Sequence, residues 1–386
     1  MKIFDRYILG KFFVTFFQCY LGLVGLLISI SLPSNFSDFL AVGDMSKLIT
    51  IIPAFYFIDS IRYIDMFFPF LLLLSATITT LTMDHYNEVI ALQALGTSPG
   101  RILTPMLIGA VAASLLFTAV REFYLPKHLV RISMKPADFA QESDVFPVCR
   151  STDSKTQISI DGKEALLATN EIRKPSILLR KNLNTYGNRL TASEGVYQNS
   201  DEDHPAGWRL KGVTGPSELL KNKSLQDESL GETIIFSPSD TTWLKDDEVF
   251  VATSLKPIHL VTGENWFLYG PVWELNDALK DPTFKEEAIP LAIRVHRRFL
   301  RPLTDLLPLF LGIPFILLRR DKKSILAIAK GAGLASAYVV SQYISAYVGN
   351  ALNMVAFGIW APIFIFVPIA SVLYSELVGK SMRQKS

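Results

Sequence analysis

The sequence predicts a mixed membrane protein: six transmembrane α-helices with an antiparallel β domain of sandwich or jelly-roll type inserted between the third and the fourth. Three observations predict it. Apolar runs stand in two groups, three before Pro126 and three after Pro290, with a polar block between them. Hydrophobic residues make up 49% of the chain, high for a soluble protein, yet 19% are charged, which requires a substantial part of the chain in water. Within the polar block, short β-type runs alternate with turn residues.

The first span runs from Phe12 to Leu32, free of charge and long enough to supply the roughly 20 helical residues that cross a bilayer core. It is longer than the apolar segment of a signal peptide, and its Leu32-Pro33-Ser34 exit lacks a small-x-small cleavage site, so it reads as an uncleaved anchor. Met66–Met83 and Ile102–Val120 are the second and third spans. Asp59, Arg62 and Asp65, spaced by three residues before the second, read as an exposed interfacial charge set. Between spans two and three, Asp84 to Gly96 forms a short helix, with Asp84 as its cap and Gly96 as its C′ residue. Val89, Leu92 and Gln93 share one side of it, flanked by Glu88. That side fits a groove on another protein; the plainer alternative is an interfacial helix joining two spans.

The polar block opens near Pro126 with a helical extension of span three to about Ala140. Strands follow at Thr156–Ile160, Leu166–Asn170, Ser176–Arg180, Arg189–Tyr197, Trp208–Val213, Glu232–Phe236 and Glu248–Thr253, with turns at Asp161-Gly162, Tyr186-Gly187 and Gly215-Pro216. The polar stretch Lys221–Ser229 reads as a loop or short helical excursion. Trp266, Phe267, Tyr269 and Trp273 suit either a return to the membrane interface or a small-domain core.

Beyond Pro290, Leu303–Leu318 is apolar apart from Asp305. Gly331 to Ser375 holds no Asp, Glu, Lys or Arg and is too long for one span; Gly349, Asn350 and Asn353 split it into Ile325–Val348 and Met354–Ser375. Lys330 snorkels to the near interface, and Gly331, Gly333, Ala335, Ser336 and Ala337 permit close helix approach. The domain organisation is therefore 1–125, 126–290 and 291–386.

Orientation follows from short cationic flanks. Lys2, Arg6 and Lys11 precede span one, Arg319, Arg320, Lys322 and Lys323 follow span four, and Lys380, Arg383 and Lys385 follow span six. With six spans all three flanks share one side, which places both termini in the cytoplasm and the polar block outside.

Several function classes drop out. The net charge of +2, without a basic tail, gives no reason to expect nucleic acid. Cys19 and Cys149 fall in different compartments and should not pair. The histidines are scattered, no Gly-x-Ser-x-Gly or His-Glu-x-x-His occurs, and Gly379-Lys380-Ser381 has Tyr374 where a phosphate loop needs glycine. No catalytic residue, metal or cofactor is expected, so energy for work must come from a partner. One cationic set stands out: Arg294, Arg297, Arg298 and Arg301 precede span four on the outer side, at offsets that share roughly one helix face. Guanidinium groups bind phosphate bidentately, which suits an anionic lipid headgroup, and Lys127 and Arg131 beyond span three are further candidates. The alternative is that the arginines reach bulk headgroups and balance Asp305 or Glu122.

The run Phe67-Phe68-Pro69-Phe70-Leu71-Leu72-Leu73-Leu74, followed by Asn87-Glu88-Val89-Ile90-Ala91-Leu92-Gln93-Ala94-Leu95-Gly96-Thr97-Ser98, resembles the LptF/LptG permease family of the lipopolysaccharide exporter. Asp5-Arg6-Tyr7-Ile8, Glu122, Pro126, Trp208-Arg209-Leu210 and Arg298-Phe299-Leu300-Arg301-Pro302-Leu303 extend the likeness from end to end, with a slight lean to the LptG type. The resemblance implies an inner-membrane subunit with a periplasmic jelly-roll domain, paired with a second LptF/LptG-type permease. It further implies a cytoplasmic ABC ATPase dimer of the LptB kind, periplasmic bridge proteins of the LptC and LptA kind, and lipopolysaccharide as substrate. Glu88 would contact the ATPase, Ala91, Leu92, Gln93 and Gly96 would shape the docking helix, and spans one and five would form lateral gates. Two positions depart from the family: Gln93 stands where many members have arginine, and Ser29, Ser31, Pro33 and Ser34 occupy the outer end of span one, where a basic residue is usual. The other readings are a non-transporting envelope scaffold or sensor, a lipoprotein-release type permease, and a lipid-modifying membrane enzyme, which the missing acid, base and metal sets disfavour.

Overall fold

The computed structural model describes the chain from Ile3 to Arg383, apart from residues 41–44, 98, 140–143, 181–184, 186, 202–203, 228–229 and 318–323. Lys2, Arg319, Arg320, Lys322, Lys323 and Lys385 of the cationic flanks lie outside the described residues, as do Tyr186 of one predicted turn and Ala140, Ser229 and Leu318 at predicted segment ends. The chain divides into two compact units: residues 1–36, 56–122 and 292–386, and residues 37–55 and 123–291. Among the described residues, six helices are long and apolar enough to cross a membrane.

The first half of the helical unit consists of α1 (Ile3–Leu40), α2 (Met45–His85), α3 (Glu88–Ala94) and α4 (Pro99–Phe123). Helix α2 begins well before the predicted Met66, because Asp59, Arg62 and Asp65 are not an exposed set. Arg62 pairs with Asp59 at 2.5 Å, and Asp65, its side chain 11% exposed, pairs with Arg121 at 3.3 Å. Once paired, these charges no longer stop a helix. Asp84 likewise lies inside the last turn of α2 and does not cap α3. Asn87, at φ 57°, reverses the chain, and its carbonyl accepts the Ala91 N–H at 3.0 Å to start the new helix. The predicted stop holds: Gly96 adopts φ +81°, and the Thr97 N–H reaches back to the Leu92 carbonyl at 3.0 Å, the six-to-one bond of a Schellman end. Ile8, Phe12, Phe68, Leu72, Met83, Ile102 and Met106 form one buried cluster across α1, α2 and α4, with Phe68 stacked on Phe117 at 5.0 Å.

The second unit opens with α5 (Leu129–Ser133) and α6 (Pro136–Phe139) and then builds an antiparallel sheet of 11 strands. These are β1 (Val145–Pro147), β2 (Ser151–Asp153), β3 (Ile158–Asp161), β4 (Glu164–Leu166), β5 (Glu171–Arg173), β6 (Ser176–Leu178), β7 (Arg189–Gln198), β8 (Gly207–Gly215), β9 (Leu225–Asp227), β10 (Glu232–Phe236) and β11 (Glu248–Ala252). The order is β1-β4-β5-β7-β8-β11-β10-β9, with β6, β3 and β2 branching from β7. The register with β8 shifts between Thr191 and Ala192, and along β7 the inward side chains are Leu190 and Ala192, then Gly195 and Tyr197. Two predictions need correcting. Residues 167–170 form a turn between β4 and β5, and Leu225–Asp227, in the stretch read as a loop or helical excursion, is an edge strand. Trp208 is fully buried, its Nε1–H donating to the Leu255 carbonyl at 2.9 Å. Asp153, also buried, accepts from Thr253 Oγ1 at 2.7 Å and from the Lys155 N–H at 2.8 Å, tying β2 to the end of β11.

Short helices α7 (Pro257–Thr262), α8 (Glu264–Tyr269) and α9 (Val272–Ala278) follow the sheet. Trp266 is buried, stacked on Phe284 with Phe267 beside it, so these two rings are domain core; Trp273 remains 53% exposed.

The helical unit resumes with α10 (Ala288–Thr304), α11 (Leu307–Leu317), α12 (Ser324–Ala351) and α13 (Val355–Arg383). The break at Asp305-Leu306 has a covalent cause. Pro308 has no N–H for the Thr304 carbonyl, which instead accepts the Tyr338 hydroxyl at 3.3 Å. Leu306 bonds back to Leu303, so the Pro302 carbonyl is left to accept from Ser114. Helix α11 is almost wholly buried, packing Leu309 and Ile313 into the first cluster and Leu307 and Leu311 against Tyr338 and Phe366 of α12 and α13. The predicted close approach is real at Gly331, where a Cβ would meet the Gly312 carbonyl at 2.8 Å; Gly333 meets nothing within 4 Å.

Candidate functional site

Helix α3 and its anchorage form the first site. Val89 is 7% exposed and Leu92 packs on the same core cluster, so the side predicted to face a partner faces the core instead. The apolar side chains left in solvent are Ile90, 57% exposed, and Leu95, 83% exposed, with Ala91 beside them. Glu88 is held by α1: Lys11 Nζ donates to its two carboxylate oxygens at 2.7 and 3.0 Å, and the Tyr7 hydroxyl donates at 3.0 Å. Just past the other end, Arg101 of α4 makes a bidentate pair with Asp5, at 3.0 and 3.1 Å. Both sides of the α3 segment are thus tied to the first three turns of α1. Sequence reasoning missed Asp5, Tyr7, Lys11 and Arg101 in this role, because the partners lie 77 or more residues apart and no local pattern joins them. Gln93 lies in the same helix; its side chain is outside the described residues.

The arginine set forms the second. The structure does not leave it as a cationic surface. Arg301 pairs with Asp65 at 2.6 Å and with Asp305 at 3.1 Å, and also bonds the Asp65 carbonyl. Arg298 meets Glu122 at 3.6 Å. Arg297 bonds the carbonyls of Gln342 and Gly358 and the Ser345 hydroxyl, the last at 3.1 Å. These side chains tie α10 to α2, α4, α12 and α13. Arg294 is half-buried on the same helix, while Lys127 and Arg131 are exposed in the other unit.

Lys330 is exposed, and Gly379-Lys380-Ser381 lies within the continuous helix α13. Both cysteines are free. Among the described residues no three His, Cys, Asp or Glu side chains come together to hold a metal. In the second unit, burial raises the Asp153 carboxyl and pushes the Tyr197 phenol up to about 12.

Six apolar helices with an antiparallel sheet inserted mid-chain define a multi-pass membrane protein with a large extramembrane domain. The family described as lipopolysaccharide export system permease LptF/LptG matches residues 6–376, and the chain belongs to that family. It is therefore a permease of lipopolysaccharide export in the inner membrane. No curated protein matches the chain.

Proposed function

We propose that this chain is one half of an ATP-driven transporter: it docks a cytoplasmic ATPase dimer through α3 and pairs with a second LptF/LptG-type permease. In this reading residues 126–290 form the periplasmic domain, residues 1–125 and 291–386 form the membrane part, and both termini are cytoplasmic. The pair extracts lipopolysaccharide from the outer leaflet of the inner membrane and passes it to a periplasmic bridge. The observation that supports it is α3, a helix of seven residues held at Glu88 and followed by the Arg101–Asp5 tie, where Ile90 and, just past the helix end, Leu95 nevertheless face solvent. A short helix gains nothing from exposed apolar side chains unless a partner covers them. Glu88 and Ala91 border that face, Leu92 anchors it from beneath, Gln93 belongs to the same helix, and Gly96 sets where it ends.

For the lipid headgroup, the exposed cations Lys127 and Arg131 are the candidates. Arg297, Arg298 and Arg301 hold the helix that carries Arg294.

The test is co-purification through a tag on this chain, co-expressed with the second permease and the ATPase. Ile90→Asp with Leu95→Asp should lose the ATPase and keep the second permease. Retention of the ATPase by that variant, or its absence from the wild-type pair, would sink the reading.

A further inference from the structure

At the foot of the helical unit, α1 and α2 enclose an open groove of about 620 Å3 that the transport reading does not use. Arg6, Gly10 and Val14 of α1 and Thr79 and Thr82 of α2 line it. Lys11 and Tyr7 also border it but are engaged by Glu88. Arg6 is exposed and has no hydrogen-bond or ion-pair partner among the described residues. Thr79 is 1% exposed, and its hydroxyl has no hydrogen-bond partner in the structure. A buried hydroxyl without a partner costs free energy until an acceptor reaches it.

The groove straddles the point where the charged foot of α1 gives way to the apolar span beginning at Phe12. An occupant must therefore carry negative charge at one end and hydrocarbon at the other. We propose that this groove is a binding site for an anionic phospholipid, with the headgroup phosphate on the Arg6 guanidinium and an acyl chain along Gly10 and Val14. The guanidinium fork matches a phosphate bidentately, and an anionic leaflet draws cations placed at its surface. Gly10 contributes the space itself: a Cβ there would meet nothing within 4 Å, so any side chain would project into the groove without disturbing the helix.

The full chain would be reconstituted in nanodiscs of equal phosphatidylglycerol and phosphatidylcholine, released into detergent, and its retained lipids counted by native mass spectrometry. Wild type should carry phosphatidylglycerol in preference. Arg6→Gln should lower the glycerol-to-choline lipid ratio about five-fold, the effect of one interfacial cation. Gly10→Leu, a substitution that favours helix, should reduce retention of both lipids by filling the groove. Arg189→Gln, the same charge change at an exposed position of β7, should match wild type. Wild-type retention in both Arg6→Gln and Gly10→Leu would overturn the assignment. So would displacement of the lipid by inorganic phosphate alone, since that marks a site for a free anion.

Discussion

His259 packs edge-on against the rings of Trp266 and Phe284, with centroids 4.4 and 5.3 Å away, and its Nδ1 accepts the Lys256 backbone N–H at 3.1 Å. That bond requires a lone pair on Nδ1. Burial pushes the imidazole down to about 3; the Lys256 charge pushes the same way and Asp281 opposes it. The unfolded chain titrates near 6.5, so it binds a proton that the folded chain refuses. Stability from neutral His259 is therefore complete above about pH 6.5 and is lost progressively as pH falls towards 3. Between pH 6.5 and 5 one such group accounts for about 2 kcal/mol. Thermal unfolding of the full chain, followed by tryptophan fluorescence, should shift to lower temperature across that interval. His259→Gln, which keeps an acceptor but takes no proton, should flatten the shift; an unaltered pH dependence in that variant would reject this account.

At the scale of one element, α3 is too short to be stable by itself, so its order must come from its anchors. The Lys11–Glu88 pair is part-exposed on both sides and contributes about 0.5–1 kcal/mol after solvent screening. Gly96 contributes more: its Cβ would meet nothing, yet an L-residue at φ +81° costs roughly 1–2 kcal/mol in backbone energy alone. Hydrogen exchange should rank the two. Gly96→Ala should speed exchange of the amides at residues 91–95 more than Lys11→Met does, with Gly96→Asn in between; Lys11→Met as the larger effect would mean the salt bridge is the principal anchor. Elements of this kind differ in legibility. Gly96 and the paired strands β10 and β11 were readable because turn chemistry and β-branched runs are local signals. Strands β1, β2, β5 and β9, each of three residues, were not, because their order comes from neighbours across the sheet. The apolar spans were visible as runs, but their ends were hidden wherever a charge found a distant partner.

At the scale of the whole molecule, the plan of three spans, an inserted sheet and three spans is written in hydropathy, whereas the arginine site was not, because a guanidinium reads the same in sequence whether it meets a lipid or a carboxylate. In the structure Asp65 on α2 meets Arg121 on α4 and Arg301 on α10, and Arg301 also holds Asp305 at the break before α11. These side chains are only 10–13% exposed, and they join helices that precede the inserted domain in sequence to helices that follow it. Removing one partner from such a cluster leaves a buried charge uncompensated, at about 3–5 kcal/mol, whereas replacing an ion pair by apolar side chains avoids most of that cost. Arg301→Leu strips Asp305 of its cation; Arg301→Leu with Asp305→Leu removes both charges and leaves Asp65 paired with Arg121. Thermal unfolding of the full chain in detergent should therefore show the double variant more stable than the single. If the double loses as much as or more than the single, the cluster is not a compensated unit, and Arg301 regains its claim as a group held ready for lipid phosphate.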